Sequence, residues 1–482
     1  MQKILMILSI CLPIFGGFAI PLFGFTRRRS REIYVLAVVI ATSACALTLC
    51  AQGKTTLFTL FYLTSAFPIS FQLDGLGRIF VALVSVLWPF ASLYAFEYMS
   101  SEHRENTFFT YYTMSFGVTL GIAFAGNMIT MYLFYELLTF ITLPIIMHER
   151  NAEGFNAGKK YIIYSIGGAT ASFVGIILFH VNGGNISYVL GGGWSGAATP
   201  QFFAAFLLCF FGFGVKAAVF PLHDWLPTAG VAPTPVTALL HAVAVVKAGT
   251  FAIIRVSYYS FGMKLLHGSL ASQIALIFTA ITIVYGSVMA LRETHFKRRM
   301  AYSTVSNLSY ILFGAMLFTP QGLSAGLVHM LFHGLMKITL FYVAGIVNNK
   351  VHRYYVTELG GLGRKMPLTF ASFTVAGLAL TGIPPLCGFT SKYLLAAAAV
   401  RDGGFAPYLG VAALLISAVL TAVYCLQIVV TAYFPGEDFD TSVNDGIKDP
   451  NWYMLLPVCL FALLMIYFGC NPKPIIDFVT LF

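Results

Sequence analysis

Glu136, Lys216, Lys247 and Lys337 each stand near the middle of a long apolar run, and Lys392 lies just beyond a proline break in another. A charge at the centre of a bilayer costs about 2.5–3.5 kcal/mol on insertion scales. One such residue could snorkel to an interface, but central ones cannot reach either surface. The economical reason for all of them is a hydrated polar axis inside a helix bundle. Lysine and glutamate suit proton movement there. Loss of water disfavours the ammonium form, so a buried lysine releases its proton readily, and a nearby carboxylate reverses that preference. Glu136 near Lys216 is thus expected to form a two-state switch, holding the lysine charged when close and freeing its proton when drawn away. The rival is a static buried pair that fixes two helices. Four lysines and a glutamate on separate runs weigh against it.

Histidines extend the pattern. The run L-V-H-M-L-F-H-G-L-M-K-I-T-L-F sets His329, His333 and Lys337 at four-residue steps. On a helix these share one face, about 6 Å apart per step. His241 precedes Lys247 by six residues in a further run, roughly two-thirds of a turn out of line with it. Histidine titrates near neutral pH and passes protons between lysines. H-x-x-x-H also suits zinc, but a third ligand and a metalloprotease glutamate are missing, so no metal is expected. A structural hydrogen bond stays open for each histidine singly. His223 and Asp224 either admit protons at the inner surface or cap a helix.

Gly191, Gly193 and Gly196 match G-x-G-x-x-G, yet no strand or nucleotide half-domain surrounds them, so no bound cofactor is expected. Gly117 and Gly121 form G-x-x-x-G, which reads as close helix packing rather than a dimer motif.

A membrane bundle has to position these residues. The chain is 58% hydrophobic and 10% charged, whereas a soluble domain carries about a quarter charged residues. No stretch is polar enough to form a soluble domain. A net charge of +10 could suggest nucleic acid, but the basic residues lie in short loops between apolar runs, and no nucleic-acid partner is expected. The eight cysteines are scattered without a C-x-x-C pair, which argues against an iron–sulfur cluster or structural zinc in this chain. Met1 to Phe25 lacks an A-x-A site and is followed by Arg27, Arg28, Arg29 and Arg31, so it reads as a retained first helix.

Because about 20 apolar residues span a bilayer as a helix, the expected fold is an all-α polytopic membrane protein with about fourteen transmembrane helices. Their spans are roughly 3–24, 33–51, 76–99, 107–125, 127–147, 160–181, 201–227, 234–260, 270–291, 300–318, 322–348, 367–398, 405–434 and 451–470. Loop cations concentrate after odd-numbered spans. The other loops and both tails hold only Lys3, Lys54, Lys264, Arg401 and Lys473. That asymmetry predicts a protein of the cell's inner (cytoplasmic) membrane with both termini on the outer side.

Spans seven and twelve are overlong and contain Pro221, Pro384 and Pro385. Proline removes a backbone donor and clashes with the preceding turn, so both helices should be broken. Broken helices in matching positions point to an inverted-repeat transporter with its site near midplane. The expected organisation is 1–106 for helices 1–3, 107–260 for a first half-channel repeat (helices 4–8), 261–434 for a second (helices 9–13), and 435–482 for a polar loop and helix 14. Sequence identity between the halves is negligible, so the repeat rests on pattern.

Four segments carry a family likeness: G-F-G-V-K-A-A-V-F-P-L-H-D-W-L-P-T-A, A-P-T-P-V-T-A-L-L-H-A-V-A-V-V-K-A-G, M-A-Y-S-T-V-S-N-L-S-Y and H-M-L-F-H-G-L-M-K-I-T-L-F. Over roughly residues 70–400 the chain resembles the antiporter-like membrane subunits of complex I, membrane-bound hydrogenases and Mrp antiporters; F-Q-L-D-G-L around Asp74 also fits. The resemblance implies that Glu136 and Lys216 are the paired switch, Lys247 with His241 the central relay, and Lys392 the distal residue of the second half-channel. His329, His333 and Lys337 would link the halves. It further implies a subunit moving protons or Na+ within a redox-driven complex, beside related antiporter-like subunits, with redox cofactors held by partners. The alternatives are an Mrp-type Na+/H+ exchanger without redox partners, a membrane subunit powering inorganic-carbon uptake, and a plain scaffold. The chain stops soon after span 14, without the long lateral helix of the most distal complex I subunit. The histidine in span 8 looks closer to the redox-complex members than to the short Mrp subunit.

Overall fold

The computed structural model describes residues 1–53, 55–65, 67–436 and 439–480, so Lys54, counted above among the loop cations, lies outside the described residues. In lipid each backbone N–H and C=O needs a partner within its own segment, and the described chain is mostly helical. Its first helices are α1 (Gln2–Phe23), α2 (Arg28–Gln52), α3 (Gly75–Met99), α4 (Glu105–Phe124), α5 (Met128–Ile146) and α6 (Ala152–Val181). Next come α7 (Pro200–Gly214), α8 (Trp225–Thr228), α9 (Thr234–Ala242), α10 (Val245–Val256), α11 (Met263–Leu266), α12 (Leu270–Arg292), α13 (Phe296–Met316) and α14 (Pro320–Val351). The last are α15 (Leu362–Lys365), α16 (Pro367–Thr381), α17 (Cys387–Asp402), α18 (Phe405–Tyr433), α19 (Trp452–Cys470) and α20 (Lys473–Thr480). Among the described residues, α1, α2, α3, α5, α6, α9 with α10, α12, α14, α18 and α19 are long and apolar enough to cross a membrane.

The all-helical expectation needs one correction. Between α2 and α3, β1 (Phe58–Thr64) pairs antiparallel with β2 (Phe67–Phe71). The aromatic and β-branched run F-T-L-F-Y-L-T favours a strand. The hairpin and the α4–α5 turn satisfy each other's backbone groups: Gly126 N donates to Ser70 O at 2.9 Å, and the Asn127 side-chain amide donates to Pro68 O at 2.7 Å.

At the centre lie α9, α10 and α14, buried along their apolar lengths. Helix α14 packs against α3, α9, α13, α16, α17 and α19, so its histidines and lysine face protein rather than lipid. Gly117 brings α4 against α1, where a Cβ would meet Pro13 and Ile14; the glycine motif serves packing within the chain.

Span seven is interrupted as expected. α7 stops at Gly214, and an irregular stretch containing Lys216 and Pro221 precedes α8. Such a break inside a bundle must have its backbone groups satisfied. The Trp225 indole donates to Val215 O at 2.7 Å, and Phe220 N donates to the Thr282 hydroxyl at 3.0 Å. Trp225→Phe should therefore cost about 1–3 kcal/mol by orphaning a buried acceptor. That loss would read as a lower thermal unfolding midpoint in detergent; an unchanged midpoint would show that Val215 needs no such partner. Span twelve breaks between α16 and α17, where Pro384 and Pro385 lie and Gly382 ends α16 with φ +94°. Span eight is broken too: α9 ends at Ala242 and α10 opens at Val245. The run H-A-V-A-V-V-K contains no proline or glycine to announce that gap.

Candidate functional site

Lys216 is fully buried just past the end of α7. Its ammonium donates to the Tyr135 carbonyl on α5 and lies 3.5 Å from the centre of the Tyr135 ring. Both the carbonyl and the ring face favour a cation. Glu136 follows on the same helix, and the two charges act on each other. The Glu136 Oε1 is buried without a hydrogen-bond partner, and the ion pairs among the described residues do not include Glu136 with Lys216. The lysine is held by the neighbouring carbonyl, not by the carboxylate.

Lys247, in the first turn of α10, reaches across to α14. Its Nζ lies 2.8 Å from His333 Nδ1 and donates to Met330 O at 3.2 Å. His241 sits on the other side of the span-eight break, its ring 4.5 Å from that of Phe341 and both nitrogens without partners. The two-thirds-turn offset between His241 and Lys247 assumed a continuous helix, so it does not describe their arrangement. The structure brings Lys247 to His333 instead.

From His333 the polar side chains continue along α14 toward α17. The rings of His333 and His329 stack at 5.9 Å, and His329 Nδ1 lies 2.9 Å from the Ser391 hydroxyl. His329 also stacks on Tyr310 at 5.3 Å, and Lys392 Nζ lies 5.0 Å from the centre of the Tyr310 ring. Lys392 donates to Leu380 O at 2.6 Å and Thr381 O at 3.1 Å, the orphan carbonyls that end α16. Lys337 is set apart: it donates to the Ser303 hydroxyl and to Met300 O at 3.1 Å on α13. Pro384 and Pro385 open the gap that lets Lys392 reach back.

The Lys247–His333 contact joins two nitrogens. It is a hydrogen bond only if one of them supplies the proton. With Lys247 as the ammonium, His333 Nδ1 accepts; with a neutral amine, Nδ1–H donates to Nζ. The same geometry serves before and after a proton crosses it.

Several participants carry no warning in the sequence. Tyr135, Tyr310, Ser391 and Ser303 are ordinary residue types in a membrane helix; Ser391 stands out only by preceding Lys392. Arg255 is fully buried and donates to Asp74 Oδ1 at 2.7 Å and Ala125 O at 2.8 Å. Asp74 also accepts from Gly77 N at 2.8 Å, capping α3.

At the opposite end of α7 from the glycine loop, Asp224 accepts from Lys160, whose ammonium also donates to the Thr228 hydroxyl at 3.1 Å. The Asp224 side chain does not cap α8. His223 is buried, 4.7 Å from the Tyr285 ring, with Nδ1 unpartnered. Near that surface, in the α3–α4 connection, burial pushes the Glu102 carboxyl above its ordinary range and Glu149 adds to the rise, while Lys297 and His103 oppose it. The loop of Gly191 and Gly193 docks on the end of α10, with Gly193 N donating to Ser260 O at 2.7 Å. Among the described residues no group of His, Cys, Asp or Glu is placed to hold a metal ion.

Residues 125–421 match the family described as NADH:quinone oxidoreductase/Mrp antiporter, TM. The chain is 30% identical to Na(+)/H(+) antiporter subunit A1 of Staphylococcus aureus, over 96% of this chain and 61% of that protein. It thus spans about three-fifths of the length of the curated relatives it matches. In fold it is similar to a chain of the membrane-bound sulfane sulfur reductase, an archaeal respiratory membrane complex, with TM-score 0.86 and 24% identity over 100% of this chain and 96% of that one. A chain of the Mrp complex from Dietzia sp. DQ12-45-1b gives TM-score 0.85 at 20% identity, over 99% and 96% of the two chains. One from respiratory complex I of Thermus thermophilus gives 0.84 at 21% identity, over 99% and 97%. The matched segment holds every residue from Glu136 to Lys392 and most of the chain, which therefore belongs to the NADH:quinone oxidoreductase/Mrp antiporter transmembrane family as an antiporter-like, multi-pass membrane protein.

Proposed function

We propose that this chain carries protons through its interior, along Lys216, Lys247, His333, His329 and Lys392, as one subunit of a larger energy-converting membrane complex. The observation that carries the reading is the 2.8 Å contact between Lys247 and His333, two groups that exchange a proton without moving, placed between two helices buried along their apolar lengths. Glu136 acts as the gate. Drawn onto Lys216 it holds the ammonium; withdrawn, as in this arrangement, it leaves the lysine to a carbonyl and a ring. His241 and Lys337 flank the route and tune its field rather than pass the proton directly.

The bundle reading behind this is fourteen crossings in two inverted repeats, 107–260 and 261–434. Adding α4, α7 with α8, α13, and α16 with α17 to the ten long apolar crossings supports the count. The repeat is supported by α7 and α16 each ending at a gap with a lysine close by, Lys216 buried and Lys392 half-buried. Both termini lie on the outer side by loop charge.

Two settings fit this channel. In one, redox partners holding their own cofactors drive the subunit, as in a complex I-like or hydrogenase assembly. In the other, it belongs to an Mrp-type exchanger, favoured by the 30% identity to a Na(+)/H(+) antiporter subunit across 96% of the chain. Purifying the native complex and reconstituting it in vesicles separates them. Iron–sulfur content with electron-driven proton movement supports the first; an iron-free complex that moves protons on a Na+ pulse supports the second. In either, His333→Phe should slow ion movement on the order of a hundred-fold, the usual worth of a positioned proton-transfer group. A rate equal to the parent's would remove His333 from the route.

A further inference from the structure

A cavity of about 680 Å³ opens between α3, α10, α14, α17 and α20, at the end of the bundle away from Lys160 and Asp224. That volume falls among ordinary ligand pockets, about 300–1,000 Å³. Most of the wall is apolar, with Leu76, Ile254, Leu327, Val328 and Leu394, and an apolar space of this kind does not hold ordered water. One margin is different. Arg401, in the last turn of α17, lines the cavity, and Gln321 and Thr480 supply further polar groups. Arg401 is exposed and enters no ion pair among the described residues; the adjacent Asp402 is taken by His267 at 2.8 Å. Tyr393, a lining residue 62% exposed, is the aromatic type found where a membrane meets water.

A deep apolar space with a single unpaired cation at its mouth is complementary to a molecule with a long hydrocarbon tail and an anionic head. We propose that this cavity binds an anionic phospholipid, one acyl chain between α14 and α17 and the phosphate on Arg401. The lipid packs behind the polar line: Val328 adjoins His329, and Tyr393 adjoins Lys392. It bridges the two helices that carry those residues, and α20 closes over it through Ile476 and Val479. The site stands on cavity shape and charge, so it holds whether or not protons follow the proposed route.

The test uses the whole complex, extracted in mild detergent, stripped of loose lipid, and offered phosphatidylglycerol or phosphatidylcholine in nanodiscs. Bound lipid is counted by native mass spectrometry. The parent should keep phosphatidylglycerol in preference to phosphatidylcholine. R401Q should lower that preference about five-fold, the weight of one basic residue against an anionic surface. A397F, which fills the cavity from α17, should displace both lipids, and Lys216→Ala should bind like the parent. Equal retention of both lipids by the parent, phosphatidylglycerol binding unaltered in R401Q, or a neighbouring subunit's helix occupying the cavity would each overturn the proposal. R401Q changes an exposed side chain, so the test survives if A397F fails to fold.

Discussion

Lys216→Ala should abolish coupled ion movement while the complex is recovered at close to its normal yield. The two halves of that result have separate causes. Lys216 gives its hydrogen bond to the Tyr135 carbonyl, which lies within α5, so truncation costs the fold that bond and the ring contact with Tyr135, and removes an ion whose burial was itself unfavourable. Transport has no such substitute. Lys216 is the cation whose charge acts on Glu136. Lys216→Arg sharpens the test, because a guanidinium keeps the charge and does not give up its proton. It should assemble and still fail to pump. Proton uptake by inverted vesicles, read beside the amount of assembled complex on a native gel, measures both. A pure scaffold predicts the reverse: transport per complex unchanged and less complex made.

Some of this arrangement is written in local pattern. Hydropathy reveals the long apolar helices because lipid enforces that rule residue by residue. The four-residue steps from His329 to Lys337 put three polar groups on one face of α14 without any tertiary information. Pro221, Pro384 and Pro385 mark two of the interruptions. The third interruption, between Ala242 and Val245, has no such mark, since packing rather than a helix-breaking residue opens it. The partner of Lys247 is equally hidden. His333 lies 86 residues away, and only the approach of α10 to α14 selects it over the nearer His241. Asp224 read equally well as a cap; its carboxylate goes to Lys160 instead, a contact set by how α6 lies against α8. The hairpin before α3 is equally unmarked, because a short, partly exposed strand pair leaves only a weak trace beside twenty-residue apolar runs.

Asp74→Ala should do the opposite of Lys216→Ala, collapsing assembly rather than pumping alone. The change leaves Arg255 fully buried with its charge uncompensated, held among the described residues by the Ala125 carbonyl and the faces of Tyr188, Phe251 and Tyr259. Breaking one side of a buried pair costs about 3–5 kcal/mol, a large share of a typical stability of about 5–15 kcal/mol. The same substitution removes the cap on α3, typically worth about 1 kcal/mol more. The recovered yield and the unfolding midpoint should both fall sharply. Asp74→Leu combined with Arg255→Met removes both charges and fills the space, and such replacements are often neutral. If the pair only ties α3, the α4–α5 turn and α10 together, the double variant should regain most of the yield and pump normally. If it assembles but fails to pump, Asp74 and Arg255 belong to the conducting path, and the route drawn through Lys247 and His333 would have to include them.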